Sequence, residues 1–251
     1  MDDGAADLEA ENLTDDAFLG GALDILQRKG GYRAGIDAVL LAATVPEGPA
    51  PVARLLDLGA GVGTVGLCAA RRIAGLHATL VEADPEAAEL AERNSVRNRL
   101  ADRVSVVTGD VTAAGSRLAR VGLEADAFDA VVANPPYHTE GQGTPAAGPG
   151  KATAHAMPQP ALGLWVRAMA RHARPGGTAT LIHKSSELAN VLASMAGRFG
   201  ALRVLPIQPR HGEPAIRVLV RGTKGSRAPL VLLPGFVLHD AGHGFTPDAE
   251  R

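Results

Sequence analysis

The run from Leu55 to Ala74 constrains the fold more than any other part of the chain. Leu55-Leu56-Asp57-Leu58 is a short apolar stretch of strand length. It leads into Gly59-Ala60-Gly61-Val62-Gly63-Thr64, and a helical pattern follows from Val65 to Ala74. An apolar run this short, ending in glycine, reads as a buried strand. Glycines let the backbone approach a ligand and present N–H groups at a helix N-terminus. A strand, a glycine loop and a helix in that order call for a parallel sheet, with ligands at the carboxyl ends of its strands.

The following sequence keeps the alternation. His77 to Val81 is a second strand, and Asp84 and Pro85 open a helix over Glu86–Arg97 as cap and first-turn proline. Val104–Val107 is a third strand, ended by Thr108-Gly109-Asp110, and a weak helix over Ala113–Val121 leads to a fourth at Phe128–Ala133. Leu162–Ala173 is an amphipathic helix, Thr178–His183 a fifth strand, and Ser185–Phe199 a helix stopped by Gly200. Leu202–Ile207 and Ala215–Val220 are two more strands, joined by the hairpin-like loop Gln208–Pro214, and an extended, proline-interrupted tail follows Lys224-Gly225. Right-handed crossovers and an α/β class follow. Ahead of the sheet, Phe18–Gln27 around Gly20-Gly21 reads as a hairpin. Asp37 reads as the N-cap of a helix from Ala38 to Thr44 that Pro46 stops.

This gives one domain over 17–251, with 17–50 as its N-terminal hairpin and helix, behind an acidic, disordered tail over 1–16. The stretch 138–160, rich in Gly, Pro, Ala and Thr, reads as a mobile lid or as a plain flexible insertion.

Three acids stand at successive strand tips: Asp57, Glu82 and Asp110. A carboxylate at Glu82 can accept from both ribose hydroxyls, and one at Asp110 from an adenine amine. Dinucleotide sites use Gly-x-Gly-x-x-Gly. Here the third glycine, Gly63, comes one residue early, and Asp57 stands at the mouth of the loop. An acid is unfavourable near a pyrophosphate and favourable near a methionine ammonium. The glycines Gly59, Gly61 and Gly63 with these acids therefore suit S-adenosylmethionine. Taken singly, Asp57 is equally a helix cap, Glu82 a surface acid and Asp110 a turn former.

The fourth strand ends at Asn134-Pro135-Pro136-Tyr137. Two prolines stop the ladder and fix a turn. The Asn134 side-chain carbonyl and the Pro135 backbone carbonyl are both acceptors, and Pro135 has no N–H. Two acceptors beside an aromatic ring suit a planar molecule carrying an NH2 group, with Tyr137 stacking on it. Asn134, Pro135 and Tyr137 are the catalytic candidates, and Asn134 also borders the cofactor.

Composition narrows the partners. No apolar run approaches the roughly 20 residues of a membrane span. The single cysteine, Cys68, makes an intrachain disulfide impossible and argues against a cysteine-based metal site, so no metal is expected. An acidic N-terminus is unlike a signal peptide or presequence, and a cytoplasmic protein is the simplest reading. Seven of the 27 acids lie in residues 1–16 with no base, leaving 20 acids against 25 bases in the rest. Six bases and one acid, Glu213, fall between Arg203 and Arg227. A basic face of this kind can meet RNA phosphates or simply be solvated; Arg210, Lys224 and Arg227 are the candidates for holding a backbone. His155 and His183-Lys184 can border the site without a catalytic assignment.

With these motifs in place, the chain resembles class I S-adenosylmethionine-dependent methyltransferases that methylate amines and carry Asn-Pro-Pro-Tyr after the fourth strand. More narrowly, it resembles the bacterial family that methylates the exocyclic amine of an adenine in the anticodon loop of valine tRNA. The resemblance rests on Gln27 through Tyr32-Arg33-Ala34-Gly35-Ile36-Asp37, the glycine motif and Asn134–Tyr137. Ala154-His155, Arg217-Val218-Leu219 and the ending from Lys224 through His239 add to it. It implies a Rossmann-like, seven-stranded, mostly parallel sheet with helices on both faces and an antiparallel last strand. It also implies that Gln27–Asp37 lies over the cofactor, which makes Tyr32 and Arg33 cofactor-binding candidates. The implied partner is RNA, tRNA in particular. Rival readings are methylation of a protein glutamine or of a guanine amine in ribosomal RNA, a non-catalytic cofactor-binding module, and a dinucleotide-dependent oxidoreductase.

Overall fold

The computed structural model describes residues 12–30, 33–47, 52–112, 122–137, 160–242 and 244–250. The expected weak helix 113–121 and the stretch 138–159 lie outside them, as do Tyr32 and His155.

The parallel core is as expected. β3 (Arg54–Leu58), β4 (His77–Glu82), β5 (Val104–Thr108), β6 (Phe128–Ala133) and β7 (Ala173–Lys184) pair in parallel in the order β5-β4-β3-β6-β7. β9 (Arg217–Lys224) inserts antiparallel between β7 and β8 (Phe199–Arg210). The sheet has nine strands rather than seven. The tail read as merely extended lies along the outer edge of β8 as two short parallel strands, β10 (Val231–Leu232) and β11 (Phe236–His239). Pro234-Gly235 separates them: proline cannot donate to the ladder, and a Cβ at Gly235 would come within 2.5 Å of the Gln208 side chain.

Alternation along the strands feeds two cores, one on each face of the sheet. Leu55, Leu80, Ile182 and Leu219 pack with Leu41 of α1 (Ile36–Ala43) and Leu67 of α2 (Thr64–Arg72), and Ala91 of α3 (Pro85–Arg97) joins them. Leu56, Val131, Leu181 and Val220 pack with Trp165 and Met169 of α4 (Pro160–His172) and Met195 of α5 (Leu188–Met195). Among the described residues no helix is long and apolar enough to cross a membrane.

The N-terminal hairpin is β1 (Leu13–Phe18) paired antiparallel with β2 (Leu23–Arg28). Leu13–Asp16 are therefore strand residues, not part of the acidic tail; their antiparallel register with Ile25–Arg28, Thr14 opposite Gln27, orders them. Asn94 of α3 and Asn98, the C-cap of that helix, anchor β2 by imitating a neighbouring strand. Asn94 accepts from Leu26 N–H at 2.8 Å and donates to the Leu26 carbonyl at 3.1 Å and the Val62 carbonyl at 3.0 Å. Asn98 accepts from Asp24 N–H at 3.0 Å and donates to the Asp24 carbonyl at 2.8 Å. The hairpin is thus fixed to the helix that borders the glycine loop.

Candidate active site

The carboxyl ends of β3, β4 and β5 form one half of the site. Gly59, Gly61 and Gly63 all take positive φ (68°, 55° and 89°), which places the burden of the turn on glycine. Their surroundings differ. A Cβ on Gly59 would lie 2.4 Å from the Trp165 ring, whereas a Cβ on Gly61 would meet nothing within 4 Å. Gly59 is therefore a packing glycine over a core indole, and Gly61 faces open space. The loop amides are largely committed inside the protein. Gly59 and Ala60 donate to the Val81 carbonyl, Gly63 to the Ala60 carbonyl, and Gly61 to Glu82 Oε2 at 2.7 Å.

Asp57 does not stand at the mouth. It is 1% exposed, beneath the loop, and its Oδ2 accepts from Gly66 N–H at 3.0 Å. Burial pushes its carboxyl up to about 7, with the nearby Glu82 carboxylate adding to the effect and the Gly66 hydrogen bond opposing it. Glu82, at the tip of β4, accepts from Ala83 and Asp84 N–H through Oε1 as well as from Gly61. Asp110 is exposed beyond the tip of β5, and one of its oxygens receives both the N–H and hydroxyl of Thr112. Arg33 forms an ion pair with Asp16 of the hairpin at 2.6 Å, so its guanidinium is directed at β1.

The tips of β6, β7 and β9 form the other half. Pro135 is buried, with Asn134 and Tyr137 half-buried beside it. The Tyr137 hydroxyl lies 2.5 Å from Asn134 Oδ1 and 3.1 Å from Asp37 Oδ2. Asp37 also receives Arg217 Nε at 2.9 Å, and the Arg217 guanidinium sits 4.9 Å over the Tyr137 ring. His183 meets that ring edge-on at 5.2 Å; it is 5% exposed, and its Nδ1 has no hydrogen-bond partner among the described residues. Burial holds its imidazole below the usual histidine range, so it is neutral near pH 7.

Asp37 is not the helix cap the sequence suggests. Gly35 caps α1, and Asp37 sits in the first turn with its carboxylate turned to Tyr137 and Arg217. One ring face expected to stack on a substrate is shared with Arg217. Sequence reasoning placed Asp37 as a helix cap in the segment over the cofactor and Arg217 in the basic run, and missed their meeting at Tyr137, because Asp37 lies 100 residues from Tyr137 and 180 from Arg217.

The basic run does not form one surface. Lys184 pairs with Arg217 and Thr178 with Thr223, so β9 runs from the site edge to the opposite edge of the sheet. Lys224 ends up there, ion-paired with Asp126 and bonded to the Ala173 carbonyl. Arg227 follows it, next to Gly200. Of the three candidates only Arg210, 3.9 Å from Glu213 on the β8–β9 loop, shares the edge with Asn134.

This strand order, with an antiparallel strand inserted beside β7 and a glycine loop after β3, is the class I methyltransferase fold. The family profile described as methyltransferase small domain matches residues 33–154. A solved structure from Agrobacterium tumefaciens, titled a predicted O-methyltransferase, superposes with a TM-score of 0.71. It is 33% identical, over 85% of this chain and 93% of that one. The chain belongs to the same methyltransferase family as that protein.

Curated relatives are named tRNA1(Val) (adenine(37)-N6)-methyltransferase. The one from Porphyromonas gingivalis (strain ATCC 33277) is 32% identical over 175 residues, 69% of this chain and 60% of the relative. The one from Enterobacter sp. (strain 638) is 38% identical over 118 residues, 45% of this chain and 44% of the relative. The chain thus spans 44% to 60% of the length of these relatives.

Proposed function

We propose that this protein is an S-adenosylmethionine-dependent N-methyltransferase acting on the N6 amine of an adenine in the anticodon loop of a tRNA, in the cytoplasm. The observation that carries the reading is the Asn134-Pro135 turn at the tip of β6, opposite the glycine loop and its acids. The names of the curated relatives support the same substrate.

The residues present fit the cofactor. Open space at Gly61 admits a ligand against the backbone. Glu82 and Asp110 offer carboxylate oxygens to ribose hydroxyls and an adenine amine, and Asp57 places a titratable carboxyl beneath the loop. The committed amides of Gly59, Ala60, Gly61 and Gly63 leave few donors for a pyrophosphate, which disfavours a dinucleotide. When bound, S-adenosylmethionine supplies a methyl group already activated on a sulfonium.

The chain's own task is then placement and charge stabilisation. An adenine amine delocalises its lone pair into the ring and is a weak nucleophile. Accepting its two N–H bonds at Asn134 Oδ1 and the Pro135 carbonyl favours a pyramidal nitrogen and stabilises the positive charge that develops there. The base must leave its stack to reach this turn, which costs less in a loop than in a duplex. Tyr137 offers its remaining ring surface to the base, and Arg210 lies at the edge where the RNA backbone would pass.

A hydroxyl acceptor is the second reading, and His183 favours it: a neutral, buried imidazole near Tyr137 could take the proton that O-methylation releases. Mass spectrometry of nucleosides from tRNA incubated with the protein and labelled cofactor separates the two. N6-methyladenosine supports the amine reading, and a ribose 2′-O-methyl product refutes it.

A further inference from the structure

The Tyr137 hydroxyl has one proton, and two of the acceptors within its reach among the described residues are Asn134 Oδ1 and Asp37 Oδ2. In this structure the shorter contact, 2.5 Å, goes to Asn134 Oδ1, and the longer, 3.1 Å, to Asp37 Oδ2. A phenol donates to one acceptor at a time. The nearer of the two oxygens is the one that an incoming amine would use. An amide oxygen already accepting a short phenol bond is a weaker acceptor for a second donor.

The alternative acceptor is a carboxylate held in place. Asp37 is mostly buried and ion-paired with Arg217 at 2.9 Å, and Arg217 in turn lies over the Tyr137 ring. α1, the β6 turn and β9 are thereby joined at one point. We propose that Asp37 and Arg217 are positioning residues that draw the Tyr137 proton away from Asn134 when the acceptor amine arrives. The inference rests on the amine-methylating reading above. A carboxylate is the stronger acceptor of a phenol proton, so a small rotation of the O–H carries the bond to Asp37. Asn134 Oδ1 is then relieved of the phenol bond where charge develops. Only hydrogen bonds exchange; the proton stays on the phenol oxygen.

The test is a double-mutant cycle. Asp37→Asn keeps the shape and removes the charge. It should lower kcat on tRNA about ten- to a hundredfold, with KM and S-adenosylhomocysteine affinity by calorimetry unchanged. In a Tyr137→Phe background, which has no proton to redirect, the same substitution should change kcat by less than about twofold. Equal losses in both backgrounds, or weakened S-adenosylhomocysteine binding, would overturn the proposal.

A second measurement needs no turnover. The chain has two tyrosines, so carbon-13 at the tyrosine ζ position gives a resonance for Tyr137 that Tyr137→Phe identifies. Adding an anticodon stem-loop RNA with S-adenosylhomocysteine present should move it in the wild type and not in Asp37→Asn. RNA binding seen by anisotropy without that movement overturns the proton redirection alone. Absence of both RNA binding and turnover overturns the amine-methylating reading together with it.

Discussion

Asp57→Asn tests the electrostatics of the site's floor. The carboxyl is 1% exposed and lifted from 3.8 to about 7, first by burial and then by Glu82. A carboxyl raised in this way holds its proton more tightly in the folded chain than in the unfolded one. Between pH 3.8 and about 7 the native state therefore binds more protons, and stability falls as pH rises through that window. At about 1.36 kcal/mol per pH unit, the ionised form costs the fold on the order of 4 kcal/mol. Asparagine cannot ionise, yet it keeps an oxygen for Gly66 N–H. The variant should accordingly gain on the wild type as pH rises, by about 3 kcal/mol between pH 5 and pH 8, and the difference should level off above that. Urea unfolding of both proteins across this range reads the difference directly, and groups common to both cancel. A pH-independent difference, or a wild type that gains on the variant, would show that Asp57 is ionised and compensated throughout.

Gly59→Ala should destabilise the fold by about 1–3 kcal/mol, because its Cβ would strike Trp165; Gly61→Ala, strained only by its positive φ, should cost less stability and should weaken S-adenosylhomocysteine binding, as thermal melts and calorimetry would show. Glu82→Gln keeps one acceptor oxygen and removes the charge, so calorimetry should show cofactor binding weakened by about 1.5–3 kcal/mol, the worth of a hydrogen bond to a charged group. Asn134→Ala should lower turnover about a hundredfold to a thousandfold while cofactor affinity holds, and Asn134→Asp, which keeps the acceptor, should retain substantial activity in the same labelled-methyl assay. Arg210→Glu should weaken RNA binding and flatten its salt dependence, whereas Lys224→Glu, at the far edge of the sheet, should leave RNA affinity unchanged; the reverse pattern in a salt titration would place the RNA on the other edge.

Local rules made the parallel core and the two half-sites legible in the sequence. A short apolar run before Gly59, a proline one residue into α3 and two prolines after Asn134 act within a few residues of themselves, so their consequences can be read without the fold. Asp84 illustrates this: it caps α3 by accepting from Glu86 N–H at 3.0 Å, as its position beside Pro85 implies. What each acid does was not legible. Asp57, Glu82 and Asp110 look alike at their strand tips, yet burial makes Asp57 a titrating group under the loop while Asp110 stays in water, and burial depends on Trp165, Leu80 and the other residues packed around the loop from distant parts of the chain. The basic run misled for a related reason: nearness in sequence became distance across the sheet once β9 ran antiparallel from Arg217 to Lys224. That a glycine loop and an acceptor turn share one sheet edge could be read from the residues alone, since strand direction and turn chemistry are local. That Asp37 and Arg217 meet at Tyr137 could not, because the contact arises from the packing of α1 and β9 on either side of the β6 turn.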